Sequence, residues 1–177
     1  MDVERLNTQH FDALFDFEQQ NKAWFEQFVP ARPSSYSNFV SFCHAQQALL
    51  DEHEQETSLF FVVVESDKII ARINATQLTG GESTHGECAS RECELGYRVG
   101  EDYQQQGVAS FAVARVLQLL HKDYGVQLVY AKAATDNLAS VRVLEKSGFN
   151  RVSERTEPVR VNGRALHLAQ FECLLTP

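Results

Sequence analysis

The chain has 177 residues, 44% of them hydrophobic and 23% charged, with 24 acidic against 16 basic side chains and a formal net charge of −8. That length suits one domain, 1–177, able to bury about 70% of its unfolded surface without staples. The apolar fraction excludes disorder, no apolar run approaches the ~18 residues of a membrane helix, and the acidity argues against nucleic-acid binding through phosphates.

The acidic start Met1-Asp2-Val3-Glu4-Arg5 does not resemble a secretory signal. Cys43, Cys88, Cys93 and Cys173 have no CxxC spacing and read as reduced thiols of a cytoplasmic protein. His85-x-x-Cys88-x4-Cys93 has zinc-ligand types but lacks a fourth ligand, so the expectation is no metal. Charge is uneven: residues 1–100 hold 16 acids and 7 bases, residues 101–177 hold 8 and 9. Such a bias can steer a cationic ligand, or it can be a solvated acidic surface.

In chain order, Phe11, Leu14 and Phe15, then Phe39, Phe42, Cys43, Leu49 and Leu50, fall at helical spacing. Pro30 and Pro33 break the chain between them, so two helices joined by an irregular link with Trp24, Phe25 and Phe28 fit residues 8–54. Leu59 to Val64 and Lys68 to Ile73, around Ser66-Asp67, read as a hairpin. Gly80 to Ser90 reads as a loop and Arg91 to about Val99 as a strand. Val108, Phe111, Ala112, Val116, Leu119 and Leu120 share one face of a helix over 107–122. Gln127 to Lys132 is a strand, and Leu138 to Lys146 a short helix capped by Asp136 or Asn137 and stopped by Gly148. Asn162-Gly163 signals a type I′ turn between two late strands. The result is an α/β chain around a central mixed sheet, without the regular alternation of a doubly wound nucleotide fold.

The segment with chemistry runs from Glu94 to Ala109, a strand entering a small-residue turn and a long helix. A helix start has unpaired N–H groups and suits an anion. Gln104-x-x-Gly107-x-Ala109 resembles the pyrophosphate loop of the GNAT superfamily of N-acetyltransferases. Asn137-x-x-Ser140-x-x-Val143-x-x-Lys146-x-Gly148-Phe149 resembles that superfamily's second signature. Val161-Asn162-Gly163-Arg164, and loosely Asn21-x-x-Trp24 through Pro30, resemble the Rim-type (RimJ/RimL-like) ribosomal-protein alanine/serine N-acetyltransferase branch.

The resemblance implies an α/β (α+β) fold with a mixed, mostly antiparallel sheet, helices on both faces, and a splay between the fourth and fifth strands. It implies acetyl-CoA as co-substrate, with pyrophosphate on Gln104, Gln105, Gln106, Gly107, Val108 and Ala109. The pantetheine would lie along Tyr97, Arg98 and Val99, with Asn137 and Ser140 as further contacts. Glu94, or Glu92 on the same strand face, would serve as base, because an α-amine of pKa near 8 is largely protonated at neutral pH. A backbone N–H near Val99 would stabilise the oxyanion. The tyrosine that many members use to protonate the leaving thiolate is replaced by Leu144, which points to Ser140, with Tyr97, Tyr103 and Tyr130 as fallbacks. Cys93 should face away from Glu94 by strand alternation, which favours direct attack over an acyl-cysteine. The expected acceptor is a protein or peptide N-terminal amine. A polyamine, an aminoglycoside, or a CoA-binding module without transfer activity remain alternatives, as do monomer and homodimer.

Overall fold

A computed structural model describes residues 1–81, 89–154 and 157–176. Leu59–Glu65 forms β2, a continuous apolar run because both its faces are covered: Phe61 and Val63 join one core, Phe60 and Val62 the other. Ser66 and Asp67, both at positive φ, turn it into β3, Lys68–Gly81. Then follow β4 (Ala89–Val99), α4 (Val108–Tyr124), β5 (Val126–Ala134), α5 (Leu138–Lys146), β6 (Asn150–Glu154) and, after a small hairpin, β9 (Leu168–Leu174). Preceding β2 are a short β1 (Asp2–Arg5), α1 (Phe11–Gln20), α2 (Lys22–Phe25) and α3 (Phe39–Glu54). The seven strands lie in the order β1-β2-β3-β4-β5-β9-β6, antiparallel except for the parallel β4–β5 pair. Helices α1 and α3 pack with Phe60 and Val62 on one face, while α4 and α5 pack on the other with Val113, Val116, Leu120 and Leu144. None of the described helices is long and apolar enough to cross a membrane.

The elements expected from periodicity are present, the link holding a short α2 and the loop after Gly80 being shortened by a longer β3. Residues 82–88 lie outside the description, and with them His85 and Cys88. Three strands went unread. β1 is Asp-Val-Glu-Arg, an edge strand held to β2 by main-chain pairing, with no apolar alternation to reveal it. β6 and β9 were not resolved as sheet members, and β9 enters between β5 and β6, a non-local pairing that no local pattern encodes.

The late hairpin, β7 (Val159–Val161) and β8 (Arg164–Leu166), stands apart from the main sheet. Its turn has Asn162 and Gly163 at φ 48° and 83°, as a type I′ turn requires. Asn162 fastens it to the link: its amide Nδ2 donates to the carbonyls of Glu26 and Val29, and its Oδ1 accepts from the Ala31 N–H. Asn162→Gly keeps the positive φ and removes only these bonds. It should lower stability by about 1–2 kcal/mol, a melting-temperature drop of about 2–6 °C in circular dichroism. An unchanged melt would mean the docking contributes nothing.

Candidate active site

Strands β4 and β5 are paired from Arg91 to Leu95, opposite Val126 to Ala131, and then part. β5 stays with β9, where Lys132, Ala133 and Ala134 oppose Gln170, Ala169 and Leu168. β4 stays with β3, where Arg98 opposes Arg72 and Val99 opposes Ala71. The Gly100 N–H donates to the Ile70 carbonyl at 3.0 Å, which makes 100/70, 98/72 and 96/74 the hydrogen-bonded pairs of this ladder. Tyr97 and Val99 therefore turn their N–H and C=O groups away from β3, into the opening left by β5. The N–H and C=O of Tyr97 and the N–H of Val99 can take an extended polar chain laid in like an extra strand, while the Val99 carbonyl is taken by the Gln104 side chain. Arg98 differs from the expectation: its main chain is engaged with β3, and its side chain lies on the sheet face away from α4.

The loop beyond β4 is held from within. The Gln104 side-chain amide donates to the carbonyls of Val99 (2.9 Å) and Gly100 (3.2 Å), while its own N–H donates to Glu101 O. Gln104 is thus a brace, with neither its N–H nor its amide donors free. The Gln106 amide closes the turn on Asp102 O at 2.7 Å. Gln105 at φ 60° and Gly107 at φ 80° twist the backbone into the start of α4. Phe111 N–H is the first to bond back, to Gly107 O, so the N–H groups of Val108 and Ala109 are among the orphans of the helix start. A Cβ placed on Gly107 would meet nothing within 4 Å, so the space over the loop is open. An anionic group fits there.

On the opposite face, Glu92 and Glu94 stand side by side, as their two-residue spacing on β4 dictates. Glu94 Oε2 accepts from Lys132 Nζ at 2.5 Å, and Glu92 Oε2 accepts from the Tyr130 hydroxyl at 3.3 Å. With Thr79 and Gln170 they line a cleft of about 320 Å³. Glu94 Oε1 has no hydrogen-bond partner among the described residues. Cys93 points the other way into the core, where burial pushes its thiol up to about 12 and keeps it protonated.

Two groups expected separately meet across the opening. The Tyr97 hydroxyl lies 2.9 Å from Ser140 Oγ and 3.2 Å from the Ser140 carbonyl, linking β4 to α5. Burial pushes the Tyr97 phenol up to about 12, more than its Ser140 hydrogen bond brings it down, so it holds its proton at neutral pH. Asn137 caps α5, its Oδ1 accepting from Ser140 N–H at 3.1 Å. Leu144 is 1% exposed and packs in the core.

A further cluster escaped sequence reading because its members lie far apart in the chain. Glu18 on α1, 3% exposed, receives both arms of Arg32 and one of Arg72, with Arg98 Nη1 at 3.8 Å. Burial pushes the Glu18 carboxyl up, but the three arginines outweigh it and hold the group below its usual range. Burial, then the neighbouring Arg32, pushes Arg98 down to about 10.

Among known proteins, the chain is 24% identical to the probable N-acetyltransferase YjcK of Bacillus subtilis (82% of this chain, 78% of the relative). It is 22% identical to the ribosomal protein uS5-alanine N-acetyltransferase of Escherichia coli, over 85% and 75%. Its fold matches the ribosomal-protein-S5-alanine acetyltransferase of Vibrio fischeri with a TM-score of 0.87 at 19% identity, covering 97% of this chain and 91% of that one. It also matches a RimL ribosomal L7/L12 acetyltransferase in complex with coenzyme A (TM-score 0.84, 16% identity, 98% and 93%). A chimera of the spermidine N-acetyltransferase SpeG from Vibrio cholerae and hSSAT matches with a TM-score of 0.73 (17% identity, 98% and 94%). Residues 2–150 match the family model described as an acetyltransferase (GNAT) domain, and the chain belongs to that family of N-acetyltransferases.

Proposed function

We propose that this acetyltransferase transfers the acetyl group of acetyl-CoA to the N-terminal amine of a protein or peptide, of the ribosomal alanine/serine kind, by direct attack in a ternary complex. The carrying observation is the parting of β4 from β5 beyond Leu95, with the main-chain groups of Tyr97 and the N–H of Val99 facing the gap and the Glu92 and Glu94 carboxylates on the sheet face away from α4. The named activities of the uS5-alanine relatives and the coenzyme A bound by the RimL neighbour support the reading.

The Val108 and Ala109 N–H groups, with Gly107 giving access, receive the pyrophosphate; Gln104 and Gln106 hold that loop in shape. Asn137 sets the start of α5 and, through it, Ser140. Glu94 takes the proton of the acceptor ammonium, directly or through water, and the freed nitrogen attacks the thioester carbon. The Val99 N–H donates to the oxyanion as it forms, a type of contact worth ~3–4 kcal/mol. The C–S bond then breaks, the sulfur takes its proton from the Tyr97–Ser140 hydroxyl pair, and the second proton that the nitrogen sheds as the neutral amide forms restores that pair. Leu144 leaves no deficit, because Tyr97 brings a phenol to Ser140 from the strand instead of the helix.

A thiol pKa near 8.5 makes thiolate a tolerable leaving group, so this last step matters modestly. Tyr97→Phe and Ser140→Ala should each lower kcat about three- to tenfold, with the double variant little worse than either. Strictly multiplicative losses would mean the hydroxyls act separately.

A polyamine acceptor is the second reading, favoured by the adjacent carboxylates of Glu92 and Glu94 in the cleft. Thiol release measured on Ala- and Ser-started peptides, polyamines and aminoglycosides separates them. Turnover of polyamines alone would overturn the peptide assignment.

A further inference from the structure

We infer that the acceptor carries a carboxylate close to its reacting amine, as a peptide N-terminus followed by Asp or Glu does, and that Arg98 binds it. This rests on the acetyl-transfer reading above and concerns the same face of the sheet. Glu92, Glu94, Gly96 and Arg98 follow one another along that face of β4, by alternation. Glu94 and Arg98 stand four residues apart, about 13 Å along an extended strand. Between them is Gly96, where an added Cβ would meet nothing within 4 Å. The face therefore has an open place with a carboxylate at one end and a guanidinium at the other.

The guanidinium is under-partnered. Arg32 occupies both oxygens of Glu18, and Arg72 a second position on Oε1. Arg72 has further partners in Asn74 Oδ1 at 3.1 Å and the Tyr36 hydroxyl at 3.4 Å. Arg98 has only the 3.8 Å approach to Glu18 and the Phe25 ring, 5.3 Å from its guanidinium carbon, and makes no hydrogen bond to any described residue. Three arginines around one glutamate leave two positive charges in excess. A structural tie between α1, β3 and β4 needs no third arginine, and a half-buried cation with idle donors costs stability. With its side chain 17% exposed, Arg98 can still receive a ligand. The co-substrate's pyrophosphate does not fit the role, because its loop opens at the start of α4, which packs on the other face of the sheet.

A carboxylate at the second or third position of a peptide lies within reach of Arg98 when the amine is at the opening, since each residue spans at most about 3.6 Å and the side chain adds to that. The amine then lies toward Glu94. An acceptor of opposite polarity, a polyamine, would place an ammonium against Arg98.

The test compares kcat/KM, read as thiol release, for pentapeptides beginning Ser-Asp, Ser-Asn and Ser-Lys, with free amino acids as a second set. The wild type should prefer Ser-Asp over Ser-Asn by about tenfold or more, with Ser-Lys worst. Arg98→Met should bring the Asp/Asn ratio close to one, and Arg98→Lys should restore part of it. Gly96→Val, which fills the open place and leaves the arginines untouched, should raise KM for all peptides. Equal rates for the three peptides in the wild type, or an Asp preference that survives in a folded Arg98→Met, would overturn the inference while leaving acetyl transfer intact. Turnover of free amino acids without peptides would keep the carboxylate subsite and overturn the peptide source. If neither set releases thiol while polyamines do, the inference and the peptide assignment fall together and acetyl transfer stands; if no peptide, amino acid or polyamine releases thiol, the acetyl-transfer reading falls, and the inference with it.

Discussion

Replacing Glu94 with glutamine should lower kcat/KM for a peptide acceptor at pH 7 by about 100-fold, within the ~10²–10⁴ that a positioned base supplies. At that pH an α-amine of pKa near 8 is mostly ammonium, and only its free form attacks. Glutamine keeps the shape of the side chain but cannot accept the proton. It also leaves Lys132 without the carboxylate that it meets at 2.5 Å, so an unpaired ammonium remains in the cleft where another must enter. Both effects act in one direction. The pH profile distinguishes a base from a merely structural glutamate: the deficit should shrink above pH ~9, where the amine is already free, and a structural loss would persist at every pH.

Glu92→Gln is the control. Its carboxylate is two residues away on the same face, held by the Tyr130 hydroxyl at 3.3 Å rather than by a cation. The expected loss is less than threefold. If Glu92→Gln shows the 100-fold, pH-dependent deficit and Glu94→Gln does not, the base is Glu92 and the proton leaves nearer the Tyr130 side of the cleft.

What was legible beforehand follows the range of the interactions. The α5 cap is local: Asn137 bonds the N–H three residues on, and Gly148 at φ 89° ends the helix, so spacing alone reveals both. The β2–β3 hairpin is local as well. The pairing of Tyr97 with Ser140 is not, since 43 residues separate them; each was a candidate, but their contact depends on where α5 sits over the opening. The arginine cluster is a stronger case. Arg32, Arg72 and Arg98 belong to the half of the chain with 16 acids and 7 bases, and composition suggests a face suited to a cation. Folding collects three of those seven bases around Glu18, so the average charge of that half misdescribes the place where it meets the opening. The Asn162 docking was unreadable for a similar reason: a turn signal states that the chain reverses there, not which carbonyls its side chain will find.

Gly107→Glu should abolish the stabilisation that acetyl-CoA gives to the folded protein. At a ligand concentration 100 times Kd, binding adds about 2.7 kcal/mol, which raises the melting temperature by about 5–10 °C for a domain of this size. A carboxylate at Gly107 would project into the open space over the loop, beside the orphan N–H groups of Val108 and Ala109, and occupy the place of the pyrophosphate with its own negative charge. Like charges at that distance cost several kcal/mol, enough to reduce the shift to within error of zero. Gly107 is also at φ 80°, where any side chain is strained, so the glutamate variant combines a backbone effect with an electrostatic one. Gly107→Asn separates them, because asparagine tolerates this conformation and adds no charge. The asparagine variant should melt close to the wild type without ligand and keep most of the shift. If Gly107→Glu retains the full shift while folded, the anion does not bind at the start of α4, and the donors lined up there serve another purpose.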